Sequence, residues 1–395
     1  MDRVRNPFAP GAGNQPPELA GRQAILDRAD YTLARAEAGR HAKSFMLIGL
    51  RGVGKTVLLN RILNMAQDRK FRALLVEAHE DKALPELLLP SLRQILLGLD
   101  QIGRLNETVK RGLRVLKSFA TSIKVKYGEL EIGLGIEPEL GVGDSGDLES
   151  DLPEVFAAIG EAAKARASVV VLLIDELQYL EENELSALIM GMHKISQRQL
   201  PLVLVGAGLP QLVGNMGRSK SYAERLFEFP MVGALSPSDA AVAIIEPVRN
   251  EGERIAKSAV DLMIETSQGY PYFIQTWGYE AWNAAAKSPI SKRDVESCEA
   301  AVLKNLDESF FRVRFDRLTP SEKRYLRAMA ELGAGPHRSG DIADVLDVKV
   351  QSVAPTRNSL IRKGMIYSPA HGDTAFTVPL FDQFLRRQMP RLDPK

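Results

Sequence analysis

Four stretches of the chain are apolar almost without interruption: SFMLIGL (44–50), FRALLVEAH (71–79), SVVVLLIDE (168–176) and LPLVLVGAG (200–208). Runs of that length and composition predict strands covered on both faces. Between them the apolar positions recur at helical spacing. This happens in RQAILDRADYTLARAEAGR (22–40), from the loop at 49–56 through about Asp68, in LPELLLPSLRQILLGL (84–99) and in LPEVFAAIGEAAKARA (152–167). Strands alternating with helices predict an α/β fold with a parallel sheet between helical layers. The pattern changes at 121–137: Ile123, Val125 and Tyr127 share one face and Leu130, Ile132, Leu134 and Ile136 resume the two-residue period, which predicts a β-hairpin. An acidic, glycine-bearing stretch, ELGVGDSGDLESD, follows and is expected to be a mobile link.

From Ser236 the chain reads as helical. Three stretches place a capping hydroxyl three residues before an acid: Ser236–Asp239, Ser291–Asp294 and Thr319–Glu322. Beyond Leu318, the segments LTPSEKRYLRAMAELG, SGDIADVLD and SVAPTRNSLIRKG predict three helices, the last stopping at Gly364, and two short strands flank Ala370–Thr374. Helix–helix–helix–hairpin is the order of a winged helix. The expected organisation is an N-terminal arm and helix (1–40), an α/β core (41–232) with an insertion at about 106–152, a helical lid (233–310) and a winged helix (311–395).

Composition adds constraints. At 395 residues, 45% hydrophobic and 26% charged, the chain can bury a real core. Its single cysteine, Cys298, excludes an internal disulfide and fits a reducing cytosol, so a cytoplasmic location is expected. The N-terminus lacks the apolar core of a signal peptide, and the longest apolar run, VVVLLI, is far short of the ~20 residues that span a bilayer. No membrane partner is expected. The formal net charge is only +1, but from Arg312 onward fifteen Lys and Arg face nine Asp and Glu.

The candidate chemistry lies at GLRGVGKT. Gly49, Gly54, Lys55 and Thr56 satisfy G-x-x-x-x-G-K-[ST] between a strand and a helix. Glycines let the main-chain N–H groups turn inward around phosphate, Lys55 supplies a cation and Thr56 a hydroxyl for Mg²⁺. The expected nucleotide contacts are Gly49, Arg51, Gly52, Val53, Gly54, Lys55, Thr56 and Val57. Asp175, at the tip of VVVLLID, is the second metal candidate, and Glu176 is placed to polarise an attacking water.

The stretches PPELAGRQAIL, GLRGVGKT, LLIDELQYL, SYAERLFEF and GYPYFIQ together resemble the AAA+/STAND group of P-loop ATPases. They are most similar to its archaeal-type and Orc1/Cdc6-like members, over roughly residues 17–290. The resemblance implies a RecA-like P-loop NTPase core that binds ATP and Mg²⁺. It also implies an adenine-side wall beginning at Gly21 and Arg22, a lid proline, Pro271, packed on the base, and Arg225 directed at the γ-phosphate in cis or across a subunit contact. Two departures stand out. Gly206-Ala207-Gly208 occupies the place of a polar sensor, and Gly269-Tyr270-Pro271 resembles the STAND G-x-P motif in place of a sensor arginine. Both imply slow turnover, hence a switch. The aromatic cluster Tyr272, Phe273, Trp277, Tyr279 and Trp282 reads as lid core, and His193 as a packed or surface side chain.

In the winged helix, the third helix would present Lys349, Gln351, Ser352, Thr356, Arg357 and Asn358 to double-stranded DNA, with Arg338 and His371 at phosphate or the wing groove. The alternative is a regulatory ATPase whose winged helix makes protein contacts. Nucleotide-dependent self-association is compatible with both. FFRVRFDRL (310–318) reads as a strand, a basic arm or an interdomain seam with its arginines paired to acids.

Overall fold

The computed structural model describes residues 1–11, 13–14, 16–99, 106–123, 137–370 and 372–392. The four apolar runs form β1 (Ser44–Ile48), β2 (Arg72–Glu77), β3 (Val170–Asp175) and β4 (Leu202–Gly208), joined by a short β5 (Phe227–Glu228). They make one parallel sheet in the order β2-β3-β4-β1-β5. Side chains alternate across it. Phe45, Leu47, Val171, Leu173, Val203 and Val205 enter one core, and Met46, Ile48, Val170, Leu172, Ile174 and Leu204 enter the other.

Helices α1 (Gln23–Glu37) and α2 (Lys55–Asp68) cover the first face. The second is covered by α3 (Leu84–Gly98), α4 (Glu107–Ser122), α5 (Leu148–Ala165) and α6 (Glu182–Arg198). Two short helices, α7 (Gln211–Ser219) and α8 (Ala223–Leu226), lead into β5. The stretch expected to form a lid is α9 (Pro237–Asn250), α10 (Lys257–Ser267), α11 (Pro271–Ala284) and α12 (Lys292–Asn305). The Ser291 and Thr319 capping boxes close as expected, and Ser236 accepts from the Asp239 N–H. Phe273, Trp277 and Trp282 are buried, which fits their reading as core, whereas Tyr272 is half-buried and Tyr279 exposed, outside that core. His193 packs on Tyr222, ring centroids 4.6 Å apart.

Three expectations need correction. The hairpin at 121–137 begins in a helix: α4 runs through Ser122 with Ile123 as its cap, and residues 124–136 lie outside the described residues. The acidic link is held in place. Asp147 caps α5, while the buried Asp151 accepts from Ser145 N and Oγ (3.0 and 2.8 Å) and Gly146 N (2.9 Å). Finally, 310–318 is neither strand nor arm. A π-helical turn (Leu306–Phe311) runs into α13 (Arg312–Phe315): Phe310 packs on Phe273, while Phe311 and Phe315, four residues apart, both pack on Phe384. The segment is a seam, but among the described residues its arginines form no ion pair with an acid: Arg312 bonds Gln388 and Arg314 bonds the Phe310 carbonyl.

The C-terminal region follows the order α14 (Pro320–Leu332), β6 (His337–Arg338), α15 (Ser339–Val345), α16 (Val350–Arg362), β7 (Ile366–Tyr367), β8 (Asp373–Phe376) and α17 (Phe381–Gln388). Its three strands form an antiparallel sheet with β8 in the middle. Its core is continuous with the lid through Phe310, Phe311, Phe381 and Phe384. At the other end of the chain, the N-terminal arm runs antiparallel to α11. Asp2 O accepts from the Trp282 indole (2.8 Å), Asn6 Nδ2 donates to Tyr279 O (3.0 Å) and Ala9 N donates to Gln275 Oε1 (3.2 Å). The arm thereby reaches Thr56, opposite Gly13. Among the described residues no helix is long and apolar enough to cross a membrane.

Candidate nucleotide site

The loop from Gly49 to Gly54 sits at the C-terminal end of β1, which lies between β4 and the edge strand β5. Two glycines in it are dictated by geometry. A Cβ on Gly49 would lie 2.1 Å from the Val232 carbonyl, and Gly54 turns into α2 at φ 94°, which side chains disfavour. No side chain caps α2, so its first N–H groups are left for an anion.

Lys55 and Thr56 begin that helix. The Lys55 ammonium, buried, donates to Gly49 O and Leu50 O at 2.9 Å each. Burial holds its proton affinity below the usual range, with Glu176 and Asp175 acting against it only in part. Thr56 Oγ1 donates to Asp175 Oδ2 at 2.5 Å, so α2 and the tip of β3 meet at one point. Burial holds the Asp175 carboxyl above its usual range, with the Thr56 hydroxyl acting against it. Glu176 is in the left-handed region, φ 55°, an uncommon conformation for glutamate that re-aims its side chain at the loop.

Gln178 was not singled out by the sequence. It donates to Glu176 Oε2 and accepts from Leu209 N (3.0 Å), bridging Glu176 to the end of β4 where Gly206-Ala207-Gly208 supplies no polar side chain. Its signal was its place two residues after an acidic pair, inside a turn, which is weak without the fold. Arg51 reaches Tyr179 Oη (2.6 Å) and approaches Glu176 (4.0 Å); burial lowers its proton affinity, but Glu176 and Tyr179 outweigh that and raise it.

Among the other expected contacts, Arg22 clamps the back of the loop, donating to Val53 O (3.1 Å) and Gly233 O (2.6 Å), while Gly21 faces Asp239 of the lid. Pro271 opens α11 beside the loop: Tyr272 N donates to Gly52 O (3.3 Å) and Tyr270 Oη donates to Arg51 O. Val57 is half-buried in the first turn of α2. Arg225 is elsewhere. It is exposed in α8, just before β5, whose Phe227 pairs with Ser44 at the start of β1. In a parallel sheet that is the opposite end from the phosphate loop, so the expected cis contact with the γ-phosphate is not made. Beside Arg225, Glu228 of β5 pairs with Arg28 of α1.

Residues 18–205 match the family model described as the AAA ATPase domain. They form an AAA-type P-loop ATPase domain. Residues 308–385 match a second family, described as a domain of unknown function (DUF8462). No curated protein matches the chain. Among solved structures, the chain is similar to the Walker-type ATPase PABY2304 of Pyrococcus abyssi, at 16% identity over 93% of this chain and 96% of that one, with a TM-score of 0.52. It is also similar to the Aeropyrum pernix Orc1 protein in complex with DNA (16% identity, 98% and 96% covered, TM-score 0.47) and to the Thermotoga maritima RuvB Holliday junction branch migration motor (15%, 96% and 99%, 0.44).

The ATPase domain fits ATP with Mg²⁺ on its own geometry: a hydroxyl and a carboxylate converge at 2.5 Å beside an uncapped helix start and a buried ammonium. Thr56 and Asp175 would hold the metal, which when bound neutralises phosphate charge. Among the described residues there is no separate cluster of three or more His, Cys, Asp and Glu suited to a metal.

The C-terminal region rests directly on this site. Arg51 N donates to Thr377 O (3.3 Å) and Arg51 Nε to Gly364 O (3.4 Å). On α16, Lys349, Gln351, Ser352 and Asn358 are exposed and Thr356 is half-buried. Arg357 departs from its expected role: it turns onto the strands and donates to Thr374 Oγ1 (2.9 Å), Ser368 Oγ (3.0 Å) and Asp373 O (3.0 Å). Arg338 is exposed at the start of α15, and His371 lies outside the described residues.

Proposed function

We propose that the chain is an ATP-operated switch in which the nucleotide on the phosphate loop governs how the C-terminal region sits on the ATPase domain, and that this region, read as a winged helix, associates with double-stranded DNA. The observation that carries the reading is Arg51: a residue inside the phosphate loop is bonded through both its main chain and its side chain to the C-terminal region. A loop that closes on phosphate must renegotiate those bonds. Lys55 and the first N–H groups of α2 bind the phosphates, and Thr56 and Asp175 hold the metal. Glu176 orients and polarises the attacking water, taking its proton.

Slow turnover follows from the surroundings of Glu176, whose carboxylate is engaged by Gln178 and lies near Arg51, so it must be released before it acts as a base. Arg225 serves only a neighbouring copy in this reading, through nucleotide-dependent self-association.

DNA association is supported by the exposed Lys349, Gln351, Ser352 and Asn358 on one helix, with Arg338 nearby in sequence order at the adjoining β6. The test is duplex affinity against nucleotide state and salt. Affinity should differ at least about tenfold between ATP and ADP and fall steeply with salt, as phosphate contacts require. Equal, salt-insensitive binding in all states would remove the DNA reading. One observation favours the protein-contact alternative: much of the C-terminal basic charge is spent internally, with Arg327 on Glu331, Arg386 on Asp382, Arg387 on Asp307 and Lys363 on Glu322. In that case ATP would change oligomeric state on size-exclusion chromatography without any duplex affinity.

A further inference from the structure

We propose that Arg314, on the seam between lid and C-terminal region, is a γ-phosphate-binding residue that the ATPase domain receives from outside itself. The inference rests on the nucleotide reading of the phosphate loop.

The π-helical turn and α13 bring this segment against the loop: a Cβ on Gly52 would lie 3.3 Å from Phe310 Cζ, and Phe310 stacks on Tyr272 with centroids 4.3 Å apart. The Arg314 guanidinium lies over the Phe310 ring, 4.3 Å from its centroid. The charges it feels are those of the site, Arg51 and Glu176, together with Tyr272 and Tyr270 of the lid entrance. π-Helical turns are rare and recur at functional positions.

Arg314 is also unfinished. A guanidinium has five N–H donors arranged as a fork. The hydrogen bond found for this one goes to a main-chain carbonyl, Phe310 O; its Nε is sealed from solvent and has no partner, and no carboxylate pairs with it among the described residues. Burial, then the nearby Arg51 cation, lower its proton affinity to about 10. A largely buried cation beside a second cation is costly without an anion. Three cations, Lys55, Arg51 and Arg314, gather here beside Asp175 and Glu176, with Glu80 also acting on Arg51, and none of these carboxylates pairs with Arg314 among the described residues.

At the start of α11 stands Pro271, which cannot neutralise phosphate, so a cation added to Lys55 beside the terminal phosphate has to come from another element. Arg314 is that cation, and because it lies between α12 and α14 its contact exists only while the γ-phosphate does. Hydrolysis would then release the seam.

The experiment is isothermal titration of the full chain with Mg·ATP and Mg·ADP. In Arg314→Gln, which keeps a side chain able to lie on Phe310, ATP affinity should fall about 10- to 100-fold, the size of a lost charge-assisted pair, while ADP affinity changes less than about threefold. Arg314→Lys should recover part of the loss, and the exposed Arg312→Gln should bind both nucleotides like the parent. Should Arg314→Gln prove unfolded by thermal melting, Arg314→Lys decides: its ATP-to-ADP preference must fall below that of the parent, since a point charge cannot reproduce the fork. ATP affinity within twofold of the parent, or equal losses for both nucleotides, overturns the proposal. Lys55→Ala, which should bind neither, separates the two levels of inference. A parent that binds no ATP sinks the nucleotide reading as well, whereas a parent that binds ATP beside an unaffected Arg314→Gln sinks this one alone.

Discussion

Helix α2 carries Lys55 and Thr56 on its opening turn and α16 carries Gln351 and Ser352 on its own, yet the two starts are built differently. In α2, Lys55 and Thr56 each have a partner fixed by the sheet: the loop carbonyls for one, Asp175 for the other. Main-chain geometry does most of the binding, so the chemistry is set by spacing. In α16 the opening turn is exposed and its side chains face outward without such partners, apart from Ser352 returning to Lys349 O (2.6 Å). A helix shows which residues share a face; it does not show which of them are committed to the rest of the fold. Arg357 is the lesson, since it lies on the same helix and is used as a brace.

The largest effect that tests this contrast is at Glu176. Replacing it with Gln should leave ATP binding intact and lower hydrolysis by about 10²–10⁴-fold, the usual contribution of a general base. Single-turnover ATP cleavage measures it. Turnover like the parent's would mean that spacing misassigned the base, and the contrast would lose its better half.

Next in size is the joint that holds α16 in place. Glu322, in α14, accepts from Lys363 Nζ, Ser359 Oγ and Thr319 N, all at 2.8 Å, and is nearly buried. Burial alone would raise its carboxyl; the bonds to Lys363, Thr319 and Ser359 outweigh burial and hold it below the usual range. A carboxyl so lowered stabilises the fold above its unfolded value and loses that contribution as pH falls through the folded one. Glu322→Ala should therefore cost about 2–3 kcal/mol at neutral pH, the scale of a hydrogen-bonded charge. Chemical denaturation should show the gap to the parent shrinking as pH drops below about 4.5. A gap independent of pH would place the cost in packing instead.

What was legible follows the same division. Uninterrupted apolar runs between helices specify a parallel sheet, and G-x-x-x-x-G-K-T followed by an apolar run ending in Asp175 specifies the pocket at its end. Arg314 escaped because FFRVRF fits a two-residue period as well as a helical one; burial of Phe310 and Phe311 in the lid decides between them, and that is tertiary information. Arg225 was placed by similarity of a local stretch, which says nothing of the register that puts Phe227 beside Ser44. Gln178 acts by bridging two strand ends, a relation that no spacing along the chain encodes.

The smallest effects separate the two kinds of residue within α16 itself. Arg357→Ala removes three hydrogen bonds between helix and strands and should lower stability by about 1–2 kcal/mol, since part of the gross bond energy is regained from water. Lys349→Ala removes an exposed side chain and should leave stability within about 0.5 kcal/mol. In a duplex-binding assay the order should invert. Lys349→Ala should weaken binding across all sequences and reduce the salt slope by about one, the mark of a single lost phosphate contact. Arg357→Ala, corrected for the folded fraction, should keep the parent's slope. If Arg357 carried the salt slope and Lys349 carried none, its inward bonds would have to open on binding, and α16 would owe its function to a rearrangement that α2 does not need.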